Sequence, residues 1–145
     1  MSDTRTLSLV KRIALVAHDN KKEDLIDWAY LNKDFLSKHE LIATGSTGEL
    51  VEKKLNVQTT RVLSGPLGGD QQIGSMIAEG KLDFLVFFWD PMEAQPHDSD
   101  VKAVLRLAVA WNILIANNRT TADFIVSSQL MQKTYEIQLE DYSKF

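Results

Sequence analysis

Phe84–Phe88 reads FLVFF, an unbroken run of apolar residues that includes three phenylalanines. Aromatic residues are enriched in strands, and a continuous apolar run is typical of a strand that is buried on both faces. Arg12–Ala17 (RIALVA) is a second, nearly continuous apolar run. Together the two runs indicate a sheet that is covered by helices on both sides.

Weaker strand and helix patterns alternate along the rest of the chain. Shorter strands are predicted at residues 40–43, 59–63 and 113–116, and residues 135–139 are predicted as a last strand or an extended tail. Apolar side chains at helical spacing predict helices between them, which begin near Lys21, at Glu49, after the glycines at 68 and 69, near Val101 and near Thr120. This alternation predicts an α/β protein of three layers (αβα) around a mostly parallel five-stranded sheet.

Composition limits the kind of protein that this chain can be. A chain of 145 residues with 44% hydrophobic and 25% charged residues is expected to form a single soluble domain, here residues 1–145. A net charge of −4 argues against nucleic acid and anionic membranes as partners. The absence of cysteine removes thiolate nucleophiles and sulfur-ligated zinc. The first residues lack the apolar core of a signal peptide and no apolar run is long enough for a membrane span, which predicts a cytoplasmic protein.

Polar clusters follow every predicted strand of the sheet. In an open α/β sheet, ligands bind beyond the carboxyl ends of the strands. The clusters are therefore expected to converge on one edge. They are residues 18–20 (HDN), 44–48 (TGSTG), 64–70 (SGPLGGD), Asp90 with 97–100 (HDSD), and Asn117 with Asn118.

Residues 64–72 (SGPLGGDQQ) place three glycines and a proline around the approach to one carboxylate, Asp70. Glycine adopts backbone angles that other residues avoid, and it lets a ligand approach the main chain closely. The segment therefore predicts that Asp70 belongs to a functional site. The alternative is a tight turn in which Asp70 caps the following helix.

Residues 44–48 offer hydroxyl groups and a closely approachable backbone at the start of a helix, where free N–H groups favour an anion. The alternative is an ordinary N-cap formed by Ser46 or Thr47. Neither a Walker motif nor G-x-G-x-x-G is present, which disfavours a dinucleotide.

Lys22 is predicted to lie in the first turn of a helix that Asn20 caps, with Glu23 completing a capping box. A cation there opposes the helix dipole, although a solvated lysine is the commonest explanation for such a residue. Because Lys22 is beside the His18 loop, it is also placed to neutralise a phosphate.

His97 lies in a loop that opens a helix, among Asp90, Asp98 and Asp100. With His18, these groups could be interpreted as a metal site, but no compact ligand spacing supports that interpretation. What remains is a phosphate pocket, an isolated aspartate and an imidazole without an obvious nucleophile. That set suits proton abstraction beside the carbonyl of a small phosphorylated compound.

Beyond these local patterns, the sequence resembles the methylglyoxal synthases over nearly its whole length. The matching segments occur in one order: residues 13–19 (IALVAHD), 43–48 (ATGSTG), 63–72 (LSGPLGGDQQ), 87–91 (FFWDP), 96–103 (PHDSDVKA) and 121–124 (TADF). One departure is Ser46, which stands where threonine is common in the family and preserves the hydroxyl group.

The resemblance implies conversion of dihydroxyacetone phosphate into methylglyoxal and inorganic phosphate, with no metal and no organic cofactor. It also implies the compact α/β fold of these enzymes and a homohexamer. Inorganic phosphate resembles the leaving group of this reaction, so it is expected to occupy the loop at residues 44–48 and to inhibit. Asp70 would be the catalytic base, with His97 and Asp100 as further catalytic residues. The residues that it implies for substrate binding are His18, Lys22, Thr44, Gly45, Ser46, Thr47, Ser64, Gly65 and His97.

Two other functions remain open on the sequence alone. A non-catalytic, phosphate-sensing regulatory module would need the loop at residues 44–48, but it would have no evident need for Asp70 together with His97. An isomerase of triose phosphates would share the proton abstraction but would retain the phosphate in its product.

Overall fold

The two strongest strand signals lie side by side in the sheet, in the computed structural model that describes residues 3–95 and 98–144. Arg12–Ala17 forms strand β2 and Phe84–Phe88 forms β5, and the two run parallel, with Ile13 opposite Phe84 at one end and Ala17 opposite Phe88 at the other. The remaining strands of this sheet are β3 (Glu40–Thr44), β4 (Thr60–Val62) and β6 (Leu114–Ala116). The order β4-β3-β2-β5-β6, parallel throughout, confirms the predicted five-stranded sheet.

Helices cover both faces of this sheet, as predicted. They are α1 (Lys22–Leu31), α2 (Lys33–Leu36), α3 (Gly45–Leu55), α4 (Gly69–Ala78), α5 (Asp98–Ala110) and α6 (Arg119–Val126), with short 3₁₀ turns at Asp19–Lys21, Gly65–Leu67, Gln129–Gln132 and Tyr142–Lys144. None of these helices in the described part of the chain is long and apolar enough to cross a membrane.

The side chains of β2 alternate between two apolar cores. Ile13 and Leu15 pack in a core with α1, α3 and α6, whereas Ala14 and Val16 pack in a second core with α4 and α5. Because both faces are buried, the strand is apolar at every position after Arg12. The three-layer architecture follows directly from this pattern.

A second, two-stranded sheet was not predicted in full. Residues Tyr135–Leu139, predicted as a strand or a tail, form strand β7, which pairs antiparallel with β1 (Asp3–Leu7). The sequence of β1, DTRTL, carries polar residues at four of its five positions and only Leu7 is buried, so the sequence has no apolar run to mark the strand. We call β1 and β7 together the ribbon.

A buried carboxylate ties the ribbon to the sheet. Asp83 accepts a 2.7 Å hydrogen bond from Arg5 Nη1 of β1, and bonds of 2.7 Å from Arg12 N and 3.0 Å from Arg12 Nη2 of β2. Burial raises the pKa of Asp83, but the hydrogen bonds from Arg12 and Arg5 outweigh it and hold the pKa below its ordinary value. The carboxylate is therefore kept charged between its two guanidinium partners.

Two glycines allow α4 to begin directly over the end of β4. Gly68 has φ of +113°, and a Cβ on Gly69 would lie 1.9 Å from the carbonyl oxygen of Leu63. No side chain larger than hydrogen fits at position 69 without moving backbone. The glycine pair therefore fixes where the first turn of α4, with Asp70, meets the sheet edge.

We expect Gly69→Ala to lower the free energy of unfolding by about 2–3 kcal/mol, the upper range for overpacked substitutions. Gly74→Ala, in the same helix, is the matched control. Its Cβ would meet only the mobile end of Leu107, Cδ1 at 3.0 Å, and alanine gains about 0.5–1 kcal/mol of helix propensity. Urea unfolding followed by circular dichroism measures both variants, and equal stabilities would contradict the steric argument.

Candidate active site

The loops that follow β2, β3 and β4 converge on a small cavity at the carboxyl edge of the sheet. Its volume is about 90 Å³. The residues named from the sequence that line it are His18, Lys22, Thr44, Gly45, Ser46, Thr47, Ser64, Gly65 and Asp70. The predicted convergence is thus confirmed for these three loops.

Asp70 occupies the second position of α4 and is 2% exposed. The alternative in which it caps this helix is wrong, because the N-cap residue is Gly68 and Asp70 lies inside the first turn. The positive end of the α4 dipole favours a carboxylate at this position. Asp70 is therefore a buried acidic group held at the wall of the cavity.

The loop after β3 enters its helix earlier than expected. α3 begins at Gly45, with Thr44 as N-cap, so Ser46 and Thr47 lie in the first helical turn and neither is the cap. Gly45 has φ of +47°, and a Cβ there would lie 2.9 Å from Cβ of Ser64. This close approach brings the first turn of α3, with its unsatisfied N–H groups, against the exit of β4.

Lys22 connects the first turns of two helices. Its Nζ donates a 2.8 Å hydrogen bond to Ser46 Oγ and forms a 3.0 Å ion pair with Asp19 Oδ1. The ammonium group therefore stands at the cavity wall beside a hydroxyl of α3. This arrangement favours an anionic group in the cavity, since a cation, hydroxyls and a helix N-terminus meet there.

The capping box predicted for α1 is wrong. A 3₁₀ turn at Asp19–Lys21 precedes the helix, so the N-cap position falls on Lys21 and no side chain caps it. The amide of Asn20 instead donates to the carboxylates of Asp90 and Glu93 in the loop after β5. A contact across the sheet edge has replaced the local cap.

His18 is 6% exposed and is held from two sides. Its Nδ1 accepts a 3.0 Å hydrogen bond from the backbone N–H of Asp90, and its ring packs against the ring of Phe87 in a T-shaped arrangement with a centroid distance of 5.3 Å. The backbone hydrogen bond from Met92, followed by that from Asn20, lowers the pKa of Asp90 below its ordinary value.

The other two predicted catalytic residues, His97 and Asp100, have different outcomes. His97 lies outside the described residues. Asp100, in the first turn of α5, lines a neighbouring cavity of about 260 Å³ between α4 and α5, and Asp70 also lines that cavity. Asp100 is therefore near the predicted base without lining the main cavity.

The loop after the edge strand β6 does not join the site. Asn118 is the N-cap of α6, where its Oδ1 accepts a 2.9 Å hydrogen bond from Thr121 N, and neither it nor Asn117 lines the cavity. Sequence reasoning missed Gln95, which does line the cavity. No motif marks Gln95, and only its position in a loop after a central strand could have suggested it.

His97, one of the residues considered for a metal site, lies outside the described residues. Among residues 3–95 and 98–144, no group of three His, Cys, Asp or Glu side chains is arranged to hold a metal ion.

The chain is similar to known proteins over nearly its full length. The MGS-like domain family matches residues 24–117. The methylglyoxal synthase of Photorhabdus laumondii is 54% identical over 98% of this chain and 93% of that protein, and that of Proteus mirabilis is 55% identical over 97% and 93%. The crystal structure of methylglyoxal synthase from Elizabethkingia anophelis NUHP1 superposes with a TM-score of 0.92 and 57% identity, covering 97% of this chain and 93% of that one.

We expect Lys22→Ala to weaken the binding of inorganic phosphate by about 10- to 100-fold, because a charge-assisted hydrogen bond contributes about 1.5–3 kcal/mol. Lys21→Ala is the matched control. It removes the same charge from the neighbouring residue, whose side chain does not line the cavity. Isothermal titration calorimetry measures both. Equal losses in the two variants would mean that Lys22 acts only through general charge.

Proposed function

Since the chain belongs to the methylglyoxal synthase family, a family of lyases, we propose that it converts dihydroxyacetone phosphate into methylglyoxal and inorganic phosphate. One observation carries the proposal: a buried carboxylate, Asp70, lines the same small cavity as Lys22 and the first turn of α3. A base and an anion-binding turn in the wall of one cavity suit a small molecule that carries both a carbonyl and a phosphate.

In the first step, the carboxylate of Asp70 removes a proton from the hydroxymethyl carbon of the substrate. The electron pair of the broken C–H bond forms a carbon–carbon double bond, and the carbonyl oxygen takes up the negative charge as an enediolate. Hydrogen-bond donors close to this oxygen lower the barrier. We assign that role to His97, and we assign to Asp100, which shares the neighbouring cavity with Asp70, an assisting role.

In the second step, the hydroxyl group on the former hydroxymethyl carbon passes its proton to the enediolate oxygen and becomes an aldehyde, and the carbon–carbon double bond shifts to the carbon that carries the phosphate. Phosphate leaves with the electron pair of its C–O bond and takes up a proton, which balances the one that Asp70 removed. The enol that remains tautomerises to methylglyoxal. Elimination requires that the C–O bond stand out of the plane of the enediolate, whereas an isomerase must hold it in the plane. The residues that we propose to set this torsion are those that would bind the phosphate and the rest of the substrate: His18, Lys22, Thr44, Gly45, Ser46, Thr47, Ser64 and Gly65. Positioning thus decides the product.

We further propose that the chain works in the cytoplasm as a homohexamer that phosphate inhibits. Large apolar side chains exposed on the single chain, among them Phe124 and Val109, support association with further copies. Phosphate resembles the leaving group and fits the same anion-binding turn. A phosphorylated substrate is charged and does not cross membranes, so the protein is expected in the compartment where its substrate is made. Fractionation of expressing cells tests the cytoplasmic location.

We expect the purified protein to release dicarbonyl and phosphate in equal amounts from dihydroxyacetone phosphate, and Asp70→Asn to lower kcat by about 100- to 10,000-fold, because the amide cannot accept the proton. Asp34→Asn, an exposed aspartate on α2, is the control. Near-normal turnover by Asp70→Asn would remove Asp70 from the role of base. Binding of substrate without turnover by the unaltered protein would instead indicate a phosphate-sensing module.

We expect added phosphate at least to raise the substrate concentration that gives half-maximal rate. If the hexamer has two states that bind phosphate with different affinity, the substrate curve becomes sigmoidal as well. Initial rates with and without phosphate, together with sedimentation velocity, separate the two cases. Insensitivity to phosphate would contradict the proposed pocket, and a monomer in sedimentation would contradict the proposed assembly.

A further inference from the structure

The loops after β2 and β5 are joined by one side chain that does not line the cavity. Asn20 lies in the 3₁₀ turn after β2, and its Nδ2 donates a 3.1 Å hydrogen bond to Asp90 Oδ2. The same amide donates to Glu93. Two carboxylates of the second loop therefore bind a single amide of the first.

The carboxylate of Asp90 also shapes its own loop. Its Oδ1 accepts a 3.0 Å hydrogen bond from the backbone N–H of Met92, which closes a local turn. With Oδ1 on Met92 and Oδ2 on Asn20, the side chain of Asp90 is fixed at both oxygens. The backbone N–H that meets His18 belongs to the residue whose side chain is fixed in this way.

This N–H is the group that meets His18. It donates to Nδ1 over 3.0 Å, and a ring nitrogen that accepts a hydrogen bond carries no proton. The neutral imidazole then has its proton on Nε2, so His18, which lines the cavity, can act there as a donor. The T-shaped contact with Phe87 helps to fix the plane of the imidazole ring.

We propose that Asn20 is a positioning residue: it fixes the turn at Asp90, and through the Asp90 N–H it fixes the tautomer and orientation in which His18 meets the substrate. For the reaction, this inference rests on the proposed function. For the structure, it rests only on the hydrogen bonds from Asn20 to Asp90 and from Asp90 to His18. Asn20 itself does not line the cavity.

The first test follows the Asp90 amide by NMR, and it needs no substrate. In the unaltered protein, this amide is expected to be protected from exchange with solvent deuterium, because it is bound to His18. In Asn20→Ala, the exchange should be at least about tenfold faster. Gln129→Ala is the control, since it removes an exposed amide from another 3₁₀ turn that does not line the cavity. An exchange rate that is unchanged in Asn20→Ala overturns the proposal.

The second test is a double-mutant cycle on dihydroxyacetone phosphate. Alone, Asn20→Ala should raise KM about fivefold and leave kcat within about twofold, because only substrate binding by His18 is disturbed. In a His18→Gln background there is no imidazole to position, so the effect of Asn20→Ala should fall below about twofold. A full fivefold effect in both backgrounds overturns the proposal, because Asn20 would then act by another route.

Failure of the proposed function gives a different result. If the unaltered protein does not turn over dihydroxyacetone phosphate, the assignment of the reaction fails, and the exchange rate of the Asp90 amide still decides whether Asn20 positions the loop. If turnover is normal and the exchange rate does not respond to Asn20→Ala, the positioning role alone is wrong.

Discussion

The carbonyl oxygen of Ser64 accepts hydrogen bonds from the N–H groups of both Leu67 and Gly69, at 3.0 and 2.9 Å. This turn folds the chain back so tightly that the start of α4 lies against the end of β4, which is possible only because position 69 has no Cβ. The location of Asp70 depends on it. Moving the helix by the width of one methyl group would shift the carboxylate relative to α3, whose first turn is held by the similar close approach between Gly45 and Ser64.

The order of the strands explains why these turns meet. Strands β2, β3 and β4 lie next to one another in chain order. The next strand, β5, then pairs with the opposite edge of β2. The loops after β2 and β5 consequently leave the sheet beside each other and diverge in opposite directions, which opens a crevice at that point. His18, at the end of β2, bonds to the loop after β5, whereas Lys22 in the following helix bonds to Ser46 after β3. The segment from His18 to Lys22 therefore contacts both the loop after β5 and the first turn of α3.

Much of this arrangement could be predicted from the sequence, because the central strands are buried on both faces and therefore have nearly continuous apolar sequences. The ribbon strand β1 could not be predicted, since its four polar residues alternate between partly buried and exposed positions and give no apolar run. Local rules failed where a distant partner competed with a nearby one. Asn20 has the chemistry of a helix cap, yet its amide binds carboxylates about seventy residues away. Asn118 obeys the local rule and caps its helix, because the edge position of β6 takes it away from the crevice. Strand order determines which outcome applies, and no single segment encodes strand order.

The ribbon has a consequence for biosynthesis. Asp3 lies opposite Leu139, so the first described strand is paired with the last one. Closing so long a loop adds little to the entropic cost of folding, since each doubling of the loop length costs only about 0.6 kcal/mol. The delay is the larger cost, because β1 is translated before the other described elements and its partner β7 only after nearly all of them. Its charged residues, Asp3 and Arg5, suit that interval, because charges on an unpaired edge strand discourage pairing with other nascent chains. In the folded chain, Arg5 also pairs with Asp83, which gives β1 a partner in the main part of the molecule besides β7.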